Sequence, residues 1–239
     1  MKNISLIFAF IFFTGFYSLH AQSVDEIVNK HIEAIGGKQL LSSLQSVRME
    51  NKMEVMGNEA TTFVTILNGK CYKTESEIMG SKLIQVVKEN GGWMVNPMGG
   101  GSEPQDIPEE AAKQAQNNLY IVPLLNYGER GMQLVLEGKE AVNNAEAFKF
   151  KVTNKDGNTY TLFIDATNYY LVKSIQTVEV MGQTLTNTVT YSDFKKLENG
   201  WVLAYTTNQD TGGIFQVKTI LSKVEVNPTI DPTIFEKKQ

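Results

Sequence analysis

Cysteine is nearly missing from this chain. Cys71 is the only one, so no intrachain disulfide can form and packing alone must hold the fold. It stands in the strand-like run from Lys70 to Ile78, where a small packed residue is a simpler reading than a nucleophile. Histidine is almost as scarce: His20 lies in an N-terminal leader and His31 is alone in the rest. A Ser-His-Asp or Cys-His arrangement would have to use His31. There is no serine elbow, no His-Glu-x-x-His and no Cys-x-x-Cys, which leaves zinc chemistry and the usual nucleophilic hydrolases unsupported. His31 is read as a helix-surface residue, and no catalytic residue, metal or cofactor is expected. Lysines are scattered and the net charge is only −4, so there is no electrostatic footprint for nucleic acid or for a layer of anionic headgroups.

Long apolar runs are missing too, except at the start. Lys2, the run from Ile4 to Phe16 and Leu19-His20-Ala21 read as a secretory signal peptide over 1–21, cleaved after Ala21. The run is short for about 30 Å of hydrocarbon, so an uncleaved anchor is the lesser alternative. No cysteine follows the cleavage site to take a lipid. Residues 22–239 are expected to form one exported, periplasmic, monomeric β domain. Loss of Lys2 moves its net charge to −5.

Ser23 can cap a helix with Asp25 and Glu26 in its first turn and Val24, Val28, Ile32 and Ile35 on one face, ending at Gly36-Gly37. A short second helix follows over Lys38 to Leu44. From Val47 the apolar period changes from 3.6 to 2, with Met49, Met53 and Val55 alternating against Arg48, Glu50, Lys52 and Glu54. Similar runs recur to Val226, separated by glycine turns that read as hairpins. Glu-Val/Ile-Met-Gly occurs three times, from Glu54, Glu77 and Glu179, without a fixed period. The pattern is mainly β: a strongly curved antiparallel sheet, or half-open β-barrel, of about 10–11 strands.

One segment departs from that pattern. Met98 to Pro104 reads as a flexible connector, followed by a helix that Asp106 caps and Pro123 ends. Pro108 lies in its first turn, and Ala111, Ala115, Leu119 and Val122 share one face. So alanine-rich a face buries little area, which suits a weakly held lid.

Carboxylate pairs offer no better chemistry. Glu75 and Glu77 would stand about 6.6 Å apart on one strand face, a glycosidase-like spacing, but Lys73 shares that face and nothing apolar would raise a pKa. Asn154 to Asn158 is a turn without the glutamate of a calcium loop. Gly99 to Gly101 lack the context of a phosphate loop. What remains is an apolar inventory at inward-capable positions: Met49, Met53, Phe63, Trp93, Met94, Met98, Phe150, Leu162, Trp201 and Leu203. Methionine suits an exchangeable ligand and an ordinary core equally, so a cavity and a solid core both stand.

Several phrases, taken in order, carry a resemblance. They are Glu33-Ala34-Ile35-Gly36-Gly37, Gly91-Gly92-Trp93-Met94-Val95-Asn96-Pro97, Glu103-Pro104 with Ile107-Pro108-Glu109-Glu110, and Val226-Asn227-Pro228 with Ile230-Asp231-Pro232 and Ile234-Phe235. Together they resemble the outer-membrane lipoprotein-sorting proteins of the LolA/LolB-like superfamily. The resemblance implies a half-open barrel with helices over its mouth and a hydrophobic cavity for acyl chains of lipoproteins or lipids in periplasmic transit. It also implies a membrane receptor or export complex as partner. The soluble carriers are associated with a lid-holding arginine. Of Arg48 and Arg130, Arg48 is out of phase with its strand's apolar face, and the role is not carried over to it. The competing readings are a secreted solid-core scaffold acting through protein contacts, and a hydrolase with an unrecognised site.

Overall fold

The computed structural model describes residues 22–55, 57–78, 80–97, 101–180 and 182–237; the leader and Met98 lie outside them. Helix α1 (Val24–Ala34) begins where Ser23 Oγ accepts the Glu26 N–H at 3.1 Å, and α2 (Lys38–Ser42) follows the glycine pair. Gly37 sits at φ +83°, a conformation that glycine adopts without a Cβ penalty. Strands β1 (Ser46–Val55), β2 (Asn58–Leu67), β3 (Cys71–Ile78), β4 (Ser81–Lys88), β5 (Gly91–Asn96) and β6 (Gly101–Asp106) form one meander. Strands β7 (Gln133–Val142), β8 (Ala145–Thr153), β9 (Thr159–Asp165), β10 (Leu171–Val180), β11 (Gln183–Lys196), β12 (Val202–Thr211) and β13 (Phe215–Val226) form a second.

Pairing of β1 with β13 joins the meanders into a single antiparallel sheet, in the order β6-β5-β4-β3-β2-β1-β13-β12-β11-β10-β9-β8-β7. It curls without closing, a half-open barrel. The segment between β6 and β7 therefore links the two edges. It carries α3 (Glu109–Gln114) and a 3-10 turn over Ala115–Leu119.

The sheet has two strands more than the sequence pattern suggests. β6 replaces the expected flexible connector, and β7 was not foreseen at all. Asp106 ends β6 and pairs with Lys237 at 3.1 Å, so it does not cap α3; Pro108 occupies the cap position with no side-chain bond. The switch to a 3-10 turn also changes the buried face, because three residues per turn replace 3.6. Ala112 and Leu119 are buried while Ala111 is exposed.

Register assigns each side chain to a face. Val47, Met49 and Met53 share the inner face, on which the helices lie, and Arg48, Glu50 and Lys52 the outer. One end of the inner face is filled. Ile27, Val28 and Ile32 of α1, with Val122 and Leu124, pack on Val47, Phe150, Val152 and Ile164. A smaller cluster joins Ala112 and Leu119 to Ile107 and Val87. On the outer face the C-terminal segment lies across β4 and β5: Phe235 packs on Val86 and Trp93, and Trp93 Nε1 donates to the Phe235 carbonyl at 2.9 Å.

His31 is buried, contrary to the surface position expected. It completes the apolar face of α1, and its Nδ1 lies 2.8 Å from the Tyr169 carbonyl. That geometry fits a neutral imidazole donating from Nδ1.

Candidate functional site

Beyond the two filled regions, toward the β1–β2 and β3–β4 turns, part of the inner face joins no packed cluster among the described residues. Met53, Val55 and Ala60 are half-buried there, with Val64 four residues along β2, Leu83 on β4 and Val217 on β13. Cross-strand pairs join them: Met53 opposes Ala60, Val55 opposes Val217, and Ser76 links the row to Leu83. Among the described residues none of the six belongs to a packed cluster. A half-buried aliphatic belt on a curled sheet is what an apolar chain would cover.

Polar groups adjoin the belt and largely satisfy one another. Thr62 Oγ1 lies 2.6 Å from Ser76 Oγ and 3.1 Å from Met53 Sδ. Thr211 Oγ1 donates to Asn187 Oδ1 at 2.8 Å, and Ser174 Oγ meets the Tyr191 hydroxyl at 3.1 Å. Burial raises the Tyr191 pKa and pushes Tyr160 up to about 12, the latter opposed by Arg130. Both phenols therefore stay protonated donors at neutral pH.

The inserted segment spans this concavity. Leu119 anchors it beside Val87 and Tyr72, and Asn117 reaches the side of Tyr160 on β9. Arg130 follows, in a short turn over Gly128–Arg130. Its guanidinium lies 4.0 Å from the centroid of the Tyr120 ring and donates through Nη2 to the Pro123 carbonyl. Burial lowers its pKa.

The residues singled out in the sequence separate into distinct places. Met53 lies in the belt. Met49 borders it against the filled core, and Met94 shares the inner face with Val87 and Ile107. Phe150, Leu162 and Trp201 are buried in the solid core, and Leu203 packs on it. Phe63 and Trp93 face outward, Phe63 45% exposed and Trp93 beneath the C-terminal segment. Of the expected lid residues, Pro108 precedes α3, Ala115 and Leu119 pack beneath the segment, Ala111 faces solvent, and Val122 belongs to the main core. Val55, Ala60, Val64, Leu83 and Val217 were missed. Strand alternation marks each as a candidate for one face, but only the docking of the helices decides which part of that face stays bare.

Other surfaces offer less. A cleft of about 950 Å³ runs from Met53 and Ala60 at the margin of the belt to Phe63 and Ile220 on the outer face, and Lys52, Glu54, Glu75 and Glu77 crowd it. Glu75 lies between Lys73 at 3.2 Å and Lys82 at 3.6 Å, the surroundings of a solvated carboxylate. Arg48 is exposed and 3.8 Å from Glu225. Among the described residues no group of His, Cys, Asp and Glu could hold a metal, and no helix is long and apolar enough to cross a membrane.

No protein-family model matches the chain, and no curated protein does. Solved structures do. A LolA superfamily protein of Nitrosomonas europaea superposes with a TM-score of 0.59 at 14% identity, covering 91% of this chain and 99% of that one. A domain of Vibrio parahaemolyticus named for outer membrane lipoprotein sorting gives 0.57 at 14%, covering 89% and 95%. A DUF1329 family protein of Desulfovibrio piger gives 0.54 at 11%, covering 90% and 98%. At these identities what is shared is the fold.

Proposed function

We propose that this chain, which has a LolA-like fold, is an exported, non-catalytic carrier that binds acyl chains of lipids or lipoproteins along the inner face of its sheet. The observation that carries the reading is the bare belt of Met53, Val55, Ala60, Val64, Leu83 and Val217 beside a filled core. Unlike the filled core, this strip has no packed cluster over it among the described residues. Burying a methylene contributes about 0.8 kcal/mol, so a long acyl chain gains roughly 10 kcal/mol gross, which leaves useful affinity after the costs of association and ordering. The inserted segment bridges both edges of the sheet and rests on a small cluster, which suits a cover that cargo can displace.

The protein should therefore be expressed with its leader in a Gram-negative host and recovered from the periplasm with its N-terminus at Gln22. Native mass spectrometry is expected to reveal substoichiometric fatty acid or phospholipid. Stripped protein should rebind a fluorescent acyl probe, read through the probe's own emission because Trp93 faces outward and Trp201 lies in the core. Failure to bind any acyl probe at accessible concentrations would leave the solid-core scaffold as the better reading.

A further inference from the structure

Among the described residues, four buried side-chain polar atoms lack a partner at full hydrogen-bond geometry: Nε and Nη1 of Arg130, Nδ2 of Asn158 and the hydroxyl of Tyr160, with Asn117 beside Tyr160 and Tyr120 beside Arg130 as their near neighbours. They come from three places in the chain, the turn at Gly128–Arg130, the β8–β9 turn and β9 itself. Two adjoining cavities connect them. One, of about 280 Å³, is lined by Asn158, Tyr160 and Gln176; the other, of about 40 Å³, by Tyr120 and Arg130; Asn117 and Asn154 wall both. A single water needs about 10–15 Å³ of such space, so the larger cavity has room for a group of several heavy atoms.

Leaving buried donors unmade is costly, and here the cost is concentrated at one spot. Every unpartnered atom can donate, and guanidinium and amide nitrogens cannot accept. The complement is a group rich in acceptors and without donors of its own. Among the described residues no carboxylate forms an ion pair with Arg130. Glu89 and Asp156, with Lys155, border the smaller cavity as exposed side chains. One half-buried cation with two acids nearby favours a single negative charge over a dianion. A polar row leads away from the cluster across the inner face, because register aligns Tyr160 with Gln176, Gln176 with Asn187 and Asn187 with Thr211.

We propose that the Arg130, Asn158 and Tyr160 cluster is a head-group seat that takes the monoanionic phosphodiester of a phospholipid whose acyl chains lie along the bare belt. The inference rests on the carrier reading and names its cargo class. A phosphodiester presents non-bridging oxygens that the guanidinium can take through its unpartnered Nε or Nη1, each a charge-assisted bond.

The test compares dioleoylphosphatidylglycerol with dioleoylglycerol, each presented to stripped mature protein in non-ionic micelles, with inorganic phosphate as competitor. Wild type is expected to hold the phosphodiester lipid about tenfold more tightly than the neutral one, the scale of one hydrogen bond to a charged group. Arg130→Gln should bring that ratio close to one. Tyr160→Phe should lower it severalfold, and because it deletes one hydroxyl and leaves the ring in place it remains informative if Arg130→Gln fails to fold. An unchanged ratio in folded variants, or equal binding of the two lipids by wild type, would mean that the cluster holds only water and would overturn the head-group seat while sparing the carrier. Displacement of the lipid by millimolar phosphate from wild type but not from Arg130→Gln would assign the site to free phosphate instead. If wild type bound neither lipid, the carrier reading would fall first and this inference with it.

Discussion

His31 shows how one side chain ties distant parts of the chain together. Its ring is buried between α1 and the β9–β10 turn and bonded to the carbonyl of Tyr169. Burial lowers its pKa, the Tyr169 carbonyl opposing only partly. The unfolded state therefore takes up a proton at a pH where the folded state does not. Stability from this site is fully present above the unfolded pKa of about 6.5 and is lost as pH falls through that value toward the depressed folded pKa, at up to about 1.4 kcal/mol per pH unit. Denaturant unfolding between pH 7.5 and 5 should show wild type losing stability faster than His31→Gln; parallel curves would mean the ring is not held neutral. The sequence could not place this residue, because its partner is 138 positions away and the residue alone reads as polar surface. By contrast, Ser23 with Asp25 and Glu26 was legible, since a helix cap is satisfied within three residues.

Local signals worked for elements whose partners are near in sequence and failed where an edge or a change of helical period intervened. The β1–β2, β3–β4 and β10–β11 hairpins follow from alternation and glycine turns. β6, with sequence Gly-Ser-Glu-Pro-Gln-Asp, carries no apolar alternation; as an edge strand it needs one partner and tolerates Pro104. β7 is interrupted where its register shifts between Leu136 and Gly138, which breaks the period-two pattern. The inserted helix was legible as a weak helix, but its buried face was not, because the 3-10 turn moves burial from Ala111 to Ala112. That face rests chiefly on Leu119. Leu119→Ala should cost about 2 kcal/mol, and the loss should fall on the inserted segment rather than on the main core. Amide exchange over 109–119 is expected to quicken about thirtyfold, with β8 and β9 unchanged. Uniform acceleration throughout would mean that the segment opens only with global unfolding.

Across the whole molecule, one face of one curled sheet carries two kinds of surface: one end is filled by its own helices and the adjoining stretch joins no packed cluster among the described residues. On the proposed carrier function, that division makes stability and cargo binding separable by position. Phe150 is wholly buried among Leu162, Val152 and the α1 contacts, so Phe150→Ala should cost about 3–5 kcal/mol. For a chain of this length that lowers the thermal midpoint by roughly 10 °C, while the fraction that remains folded should bind an acyl probe as wild type does. Met53 is half-buried in the belt, where its sulfur accepts a hydrogen bond from the Thr62 hydroxyl at 3.1 Å. Met53→Ser removes about two methylenes' worth of apolar contact, which should weaken acyl binding by about tenfold and shift the midpoint by no more than about 4 °C. Paired measurements of midpoint and probe affinity on the two variants decide the matter. If Met53→Ser left binding intact while Phe150→Ala removed it from folded protein, the cargo would have to enter the helix-filled end, and α1 rather than the inserted segment would be the element that moves.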